Sequence, residues 1–195
     1  MLSQSEIGVM TCFFPRLKSM ATREIELASG FSHETVFRVL KRLVEKNQLK
    51  TRKIGRTNVY ELVRNELTYQ VYVSFVTKKM LDFKKKNLLV YRRLCEFLNE
   101  INPDGAAVLF GSYAKGTQTK SSDIDLLCAT NKKNAKNAAR AFRIKYNINI
   151  HLITVRLSDF RNIRKDNPAF WKDLIEYGIV LDGLDHFFKE AYAND

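Results

Sequence analysis

The chain of 195 residues contains no apolar run approaching the roughly 18 residues that a membrane-spanning helix needs, which excludes a helical span and points to a soluble protein. The opening MLSQSEIGVM lacks a basic segment followed by an apolar one, so neither secretion nor organelle import is indicated and a cytoplasmic location is expected. Cysteine is scarce. The 3 that are present, Cys12, Cys95 and Cys128, are odd in number, far apart and set in apolar-periodic segments, which excludes a disulfide framework or a zinc site. They read as core thiols in a reducing compartment. No Pro-, Gly- or Ser-rich linker lies between Asn65 and Ile101, and no internal repeat or low-complexity tract is visible. Acidic residues are in deficit: 33 Lys and Arg against 21 Asp and Glu give a net charge of +12 and a pI near 9.7. Such a field concentrates polyanions, nucleic acid or nucleotide foremost. The excess is shared, with a surplus of 5 in residues 1–63 (11 basic, 6 acidic) and of 7 in the rest (22 and 15).

What is present divides by its hydrophobic period. Ile7, Val9, Met10, Phe13 and Phe14 fall at largely helical spacing, and Pro15 limits the helix. A second helix, TREIELAS from Thr22, is expected to turn Ile25, Leu27 and Ala28 inward, with Gly30 permitting a sharp turn after it. Ser32 is a natural N-cap for a third helix, in which Val36, Val39, Leu40, Leu43 and Val44 form one apolar stripe. Its opposite face presents His33, Glu34, Phe37, Arg38, Lys41 and Arg42. After Leu49 the period changes to two, and LKTRKI and TNVYEL read as a hairpin whose tip carries Lys53 and Arg56 around Gly55.

Three helices followed by a basic hairpin resemble the winged helix-turn-helix family over about residues 5–63. The resemblance implies that the helix from Ser32 lies in the major groove of double-stranded DNA, with His33, Thr35, Phe37, Arg38, Lys41 and Arg42 near bases or phosphates. Lys53 and Arg56 on the hairpin then flank it, where phosphate or minor-groove contact is expected. Residues 64–85 read as a helical connection. Tyr69, Tyr72, Val73, Phe75, Val76 and Met80 form an apolar strip on it that needs a cover, supplied either by the chain itself or by a second copy in a homodimer.

The chemistry concentrates after residue 105. Ala106 to Phe110 is a short apolar strand that runs straight into GSYAKGTQTKSSDIDLL. A glycine directly after a strand lets the backbone approach a ligand closely, and the amides that open the next turn can cradle phosphate oxygens. Ser112 adds a hydroxyl to the same place. On the following strand Asp123 and Asp125 share one face while Ile124 and Leu126 share the other. Two adjacent carboxylates repel unless a cation lies between them, and hard oxygen donors without cysteine favour Mg²⁺ or Mn²⁺ bridged to substrate phosphates.

This arrangement, from about Lys86 to Phe188, resembles the nucleotidyltransferase superfamily that includes polymerase beta, most closely its minimal members. The resemblance implies an α+β chain: a winged helix (residues 1–63), the helical connection (64–85), and a nucleotidyltransferase fold with a small mixed sheet flanked by helices (86–195). It implies that Gly111 and Ser112 hold the nucleotide's phosphates, that Asp123 and Asp125 ligate metal, and that Lys115 and Lys120 help neutralise the triphosphate. Active members commonly carry a third carboxylate on a neighbouring strand. Here that strand is NINIHLIT, whose non-core face carries Asn149 and His151; His151 is the better positional match, and neither is acidic. Three functions follow as alternatives: an enzyme that transfers a nucleoside monophosphate from a nucleoside triphosphate to a hydroxyl acceptor, a DNA-binding regulator whose fold senses nucleotide, or a module that binds a small helical toxin-like protein.

Overall fold

The apolar stripes of the first sixty residues fold onto one another in the computed structural model, which describes residues 2–192. Helix α1 (Gln4–Thr11) opens on a capping box, Ser3 and Glu6 each satisfying the other's backbone amide. Strand β1 (Met20–Ala21) precedes α2 (Thr22–Ser29), and Gly30 ends that helix at φ +69°. Ser32 caps α3 (His33–Glu45) through the Thr35 amide, as its hydroxyl chemistry predicts. Val36, Val39, Leu40 and Leu43 are buried, as are Val9, Met10, Phe13 and Ile25, and α1 and α2 both pack on α3. Leu27, expected inward, is 78% exposed. Two residues of separation turn a helix by about 200°, so Ile25 and Leu27 cannot share a face, and Ile25 takes the core.

Strands β2 (Leu49–Ile54) and β3 (Thr57–Leu62) pair antiparallel from Leu49↔Leu62 to Ile54↔Thr57, turning at Gly55 with φ +59°. The hairpin is widened by β1, which pairs with β3 through Met20↔Tyr60, giving the order β1-β3-β2. Two residues are too short for alternation to reveal a strand. Helix α4 (Glu66–Lys86) follows, Thr68 donating to the Val63 carbonyl and receiving an Asn65 cap on its amide. The chain groups into two units, residues 1–75 and 76–195, so the segment expected as a connection is divided between them. Its apolar strip is covered within the chain: Phe14 packs on Tyr72 and Phe75 in the first unit, and Met80 joins Phe83 in the core of the second.

The second unit continues through α5 (Leu88–Ile101), β4 (Ala107–Phe110), α6 (Gly111–Lys115), β5 (Ile124–Ala129), α7 (Ala135–Tyr146) and β6 (Ile150–Val155). A 3-10 segment (Leu157–Asn162), α8 (Ile163–Asp166), α9 (Pro168–Tyr177), β7 (Ile179–Asp182) and α10 (Leu184–Tyr192) complete it. The sheet order is β6-β5-β4-β7, antiparallel except for β5 and β6, which are parallel and joined through α7. One face, carrying Ala107, Leu109, Ile124, Leu126 and Cys128, packs on Leu94, Phe97, Leu98 and Ile101 of α5 and on Phe142 of α7. The period of two sends Phe110, Asp125 and Leu127 to the other face. Cys12, Cys95 and Cys128 are free thiols, the first two half-buried, and burial pushes Cys128 up to about 12. Among the described residues no helix is long and apolar enough to cross a membrane.

Candidate functional site

Strand β4 is held on both edges, Ala107, Val108 and Leu109 being fully buried, and it delivers Phe110 opposite Asp125. The next residue, Gly111, has φ +68°, and a Cβ there would lie 2.1 Å from Asp125 Oδ2. Both facts demand glycine: the left-handed backbone disfavours any side chain, and the carboxylate occupies the space one would fill. Helix α6 then makes a single turn. Its Ser112 carbonyl accepts the amides of Gly116 and Thr117, and Gly116 closes the turn at φ +73°. The polar loop leading back is ordered by its own hydroxyls, with the Thr119 amide on Ser122 Oγ (2.8 Å) and Thr119 Oγ1 within 3.2 Å of Ser121 Oγ.

Asp125 is half-buried and His151 stands beside it in register on β6, Nδ1 lying 2.9 Å from Asp125 Oδ1. Thus one carboxylate oxygen meets the imidazole and the other lies against Gly111. Asp123 sits one residue before β5 on the same side by alternation, and is exposed. The Ile124 amide donates to the Asn149 carbonyl at 3.0 Å, tying this end of β5 to the approach of β6. The structure therefore brings Gly111, Asp125 and His151 together, with Ser112 and Asp123 each one or two residues away along the chain. Lys120 is exposed in the loop. Lys115 points to α9: its ammonium is 2.5 Å from Asp173 Oδ2 and 5.1 Å from the Tyr177 ring centroid. The Asp173 hydrogen bond raises the Lys115 pKa.

The donor set suits one kind of cation. Among the described residues no three His, Cys, Asp or Glu side chains gather into a metal-holding group. Two carboxylates on one face, without thiolate, fit Mg²⁺ or Mn²⁺ when phosphate oxygens and water complete the shell. They do not make an all-protein cage.

Two features around the second unit escape sequence inspection. Asp173 lies 58 residues from Lys115, and no local spacing links them. Lys79 donates to the carbonyls of Gly178 (2.8 Å) and Glu176 (3.2 Å), and burial pushes it down to about 8. A signal existed there, because Lys79 sits among Val76, Met80 and Phe83 at core spacing on α4. It lines a recess of about 260 Å³ with Asn87, Lys115 and Gln118.

In the first unit, His33, Phe37, Arg38, Lys41 and Arg42 are exposed on α3, as are Lys53 and Arg56 on the hairpin. Thr35 is half-buried and engaged by the Ser32 cap. Of these residues, His33, Phe37 and Arg56 meet in a recess of about 450 Å³, together with Arg23, Glu26 and Asn58. Arg38, Lys41, Arg42 and Lys53 lie outside it.

Comparison with known proteins bears on the second unit. Residues 91–181 match the family model described as a nucleotidyltransferase domain. Among curated proteins, a "Putative protein adenylyltransferase" of Methanocaldococcus jannaschii is 34% identical over 91 residues, covering 42% of this chain and 60% of the relative. The chain thus spans less than two thirds of that protein's length. No solved structure matches.

Proposed function

We propose, with a nucleotidyltransferase domain at residues 91–181 as premise, that the second unit binds a nucleoside triphosphate with a divalent cation and transfers its nucleoside monophosphate to a hydroxyl acceptor. The observation that carries this reading is the placement of Asp125, its carboxylate lodged against Gly111 on one side and bonded to His151 on the other. Gly111 and Ser112 bind the β- and γ-phosphates; Asp123 and Asp125 hold the cation, which neutralises the phosphate charge when bound. The acceptor oxygen forms a bond to the α-phosphorus while the bond to the pyrophosphate oxygen breaks. Positioning and charge neutralisation carry most of the rate.

The position a third carboxylate takes in active relatives of the fold is filled by an imidazole. With Nδ1 engaged by Asp125, Nε2 is the nitrogen left to accept the acceptor's proton. The name of the M. jannaschii relative supports adenylate as the transferred group and a protein as its acceptor. The test is incubation of the full chain with ATP labelled at the α-phosphate, Mg²⁺ or Mn²⁺ and candidate acceptor proteins, reading label on protein and pyrophosphate released. Nucleotide binding without transfer makes the domain a nucleotide sensor. Absence of nucleotide binding leaves only the protein-binding role.

A second reading concerns the first unit and rests on a separate observation: Arg38, Lys41, Arg42, Lys53 and Arg56 are exposed along α3 and the hairpin. Three helices and this basic hairpin support a winged helix that binds double-stranded DNA, α3 entering the major groove. Such binding weakens steeply with salt, and full-length chain that fails to bind duplex at low salt would refute it.

A further inference from the structure

The recess between α3 and the hairpin contains groups that contact with duplex phosphates does not use. Phe37 is 57% exposed and takes no part in the core of its unit. Its ring lies nearly parallel to that of His33, at 24° with centroids 6.4 Å apart. His33 is held there by Glu26, whose Oε1 lies 2.5 Å from Nδ1. Both rings are largely exposed, and together they form one wall of a recess whose 450 Å³ falls in the roughly 300–1,000 Å³ range of small-ligand sites. Arg23 from α2 and Arg56 from the hairpin supply two exposed guanidinium groups at the same recess, and Asn58 adds an amide that both donates and accepts.

An aromatic wall, paired cations and an amide match the three parts of a nucleotide: a planar base, a phosphate and a base edge that carries donors and acceptors. A base inside a duplex has no free face to offer. An unpaired one does, and stacking on protein aromatic rings is how unpaired bases are commonly held. We infer that this recess receives one unstacked base of a single-stranded segment, seated on Phe37 and His33 with its phosphate between Arg23 and Arg56. The inference rests on the nucleic-acid reading of the first unit and specifies it: the preferred partner is a duplex with a single-stranded overhang or gap, and the exposed Arg38, Lys41 and Lys53 contact its paired portion.

The experiment is fluorescence anisotropy on the full chain with three labelled probes: a blunt duplex, the same duplex with a single-stranded overhang, and the single strand alone, each across a salt series. The overhang is expected to tighten binding roughly tenfold over the blunt duplex. Phe37→Ala should cost the overhanging duplex about tenfold more than the blunt one, erasing the difference between them, while Phe37→Trp retains it. Arg56→Ala should weaken every probe and reduce the salt slope by about one. Phe37 is exposed, so its replacement should not threaten folding, and circular dichroism of each variant is the check. Equal affinity for blunt and overhanging duplex, or an equal loss on both with Phe37→Ala, overturns the inference while the duplex reading stands. No binding of any probe overturns both. Displacement of the overhanging probe by free AMP as effectively as by the single strand overturns the strand and leaves a mononucleotide pocket.

Discussion

Gly111→Ala separates the geometry of the candidate site from the stability of the domain that carries it. The substitution has two effects. The backbone at φ +68° costs a non-glycine residue about 1–2 kcal/mol, and the new Cβ meets Asp125 Oδ2 at 2.1 Å, Cγ at 2.9 Å and Cβ at 3.1 Å. Gly116→Ala isolates the first effect, since its φ is +73° and nothing lies within 4 Å of a Cβ built there. The cheapest relief of the clash at position 111 is rotation of the Asp125 carboxylate, because Asp125 Cβ is fixed to β5. Rotation costs little stability but takes the carboxylate from His151 and from the turn that begins at Gly111. The two variants should therefore lose similar stability, roughly 4 °C of Tm per kcal/mol in a unit of this size. They should differ in Mn²⁺-dependent binding of a fluorescent ATP analogue: Gly116→Ala stays near wild type, and Gly111→Ala loses at least roughly tenfold, about what one charge-assisted interaction contributes. Equal nucleotide affinity in the two variants would refute the reasoning that Asp125 must stand where it does.

Replacing Asp123 and Asp125 together by Asn should abolish metal-dependent nucleotide binding in isothermal titration, and Ser112→Ala should weaken it by roughly 1.5–3 kcal/mol. His151→Asp should raise transfer measured with α-labelled ATP if the imidazole is a weaker substitute for a carboxylate; unchanged transfer in an active parent means either that the third ligand lies elsewhere or that His151 already performs the role. Lys79 gives a pH signature. Its pKa is lowered by burial from 10.5 to about 8, so between these values the unfolded chain binds more protons than the folded one and stability rises with pH. The unfolding free energy of wild type relative to Lys79→Met should climb between about pH 8 and 10.5 and be flat below, and a flat difference throughout would show that Lys79 is solvated. Ser32→Ala should cost about 1 kcal/mol in denaturant unfolding through loss of the α3 cap.

The elements that sequence reveals here are those whose signal is local. The i, i+3, i+4 stripe of α3 and its Ser32 cap, the alternation of β2 and β3 about Gly55, and the strand-glycine-strand order around Asp125 are all written within a few residues. Alternation also sets His151 on the face of β6 that adjoins Asp125, although only the parallel register shows the two in contact. What spacing cannot carry is tertiary. Strand β1 is too short to show a period, Leu27 lost the competition for a narrow helical face to Ile25, and the attachment of Lys115 to Asp173 depends on how α9 returns to β4. The pair of His33 and Phe37 lies between these cases: both residues are legible as exposed on α3, but Glu26 meets His33 only through the packing of α2, and Arg56 and Asn58 arrive only once the hairpin has folded back.

The order β6-β5-β4-β7 distributes resistance to local opening unevenly across the site. Asp125 and Gly111 are anchored by interior strands, whose backbone amides can exchange with solvent only when the sheet itself comes apart. His151 rides on a border strand with one neighbour, where transient release needs the loss of a single ladder. Amide exchange should accordingly be slowest along β4 and β5 and measurably faster along β6. Under the proposed function, the half of the site assigned to the cation then persists through fluctuations that carry the imidazole away, which leaves the timing of the proposed proton transfer to local motion.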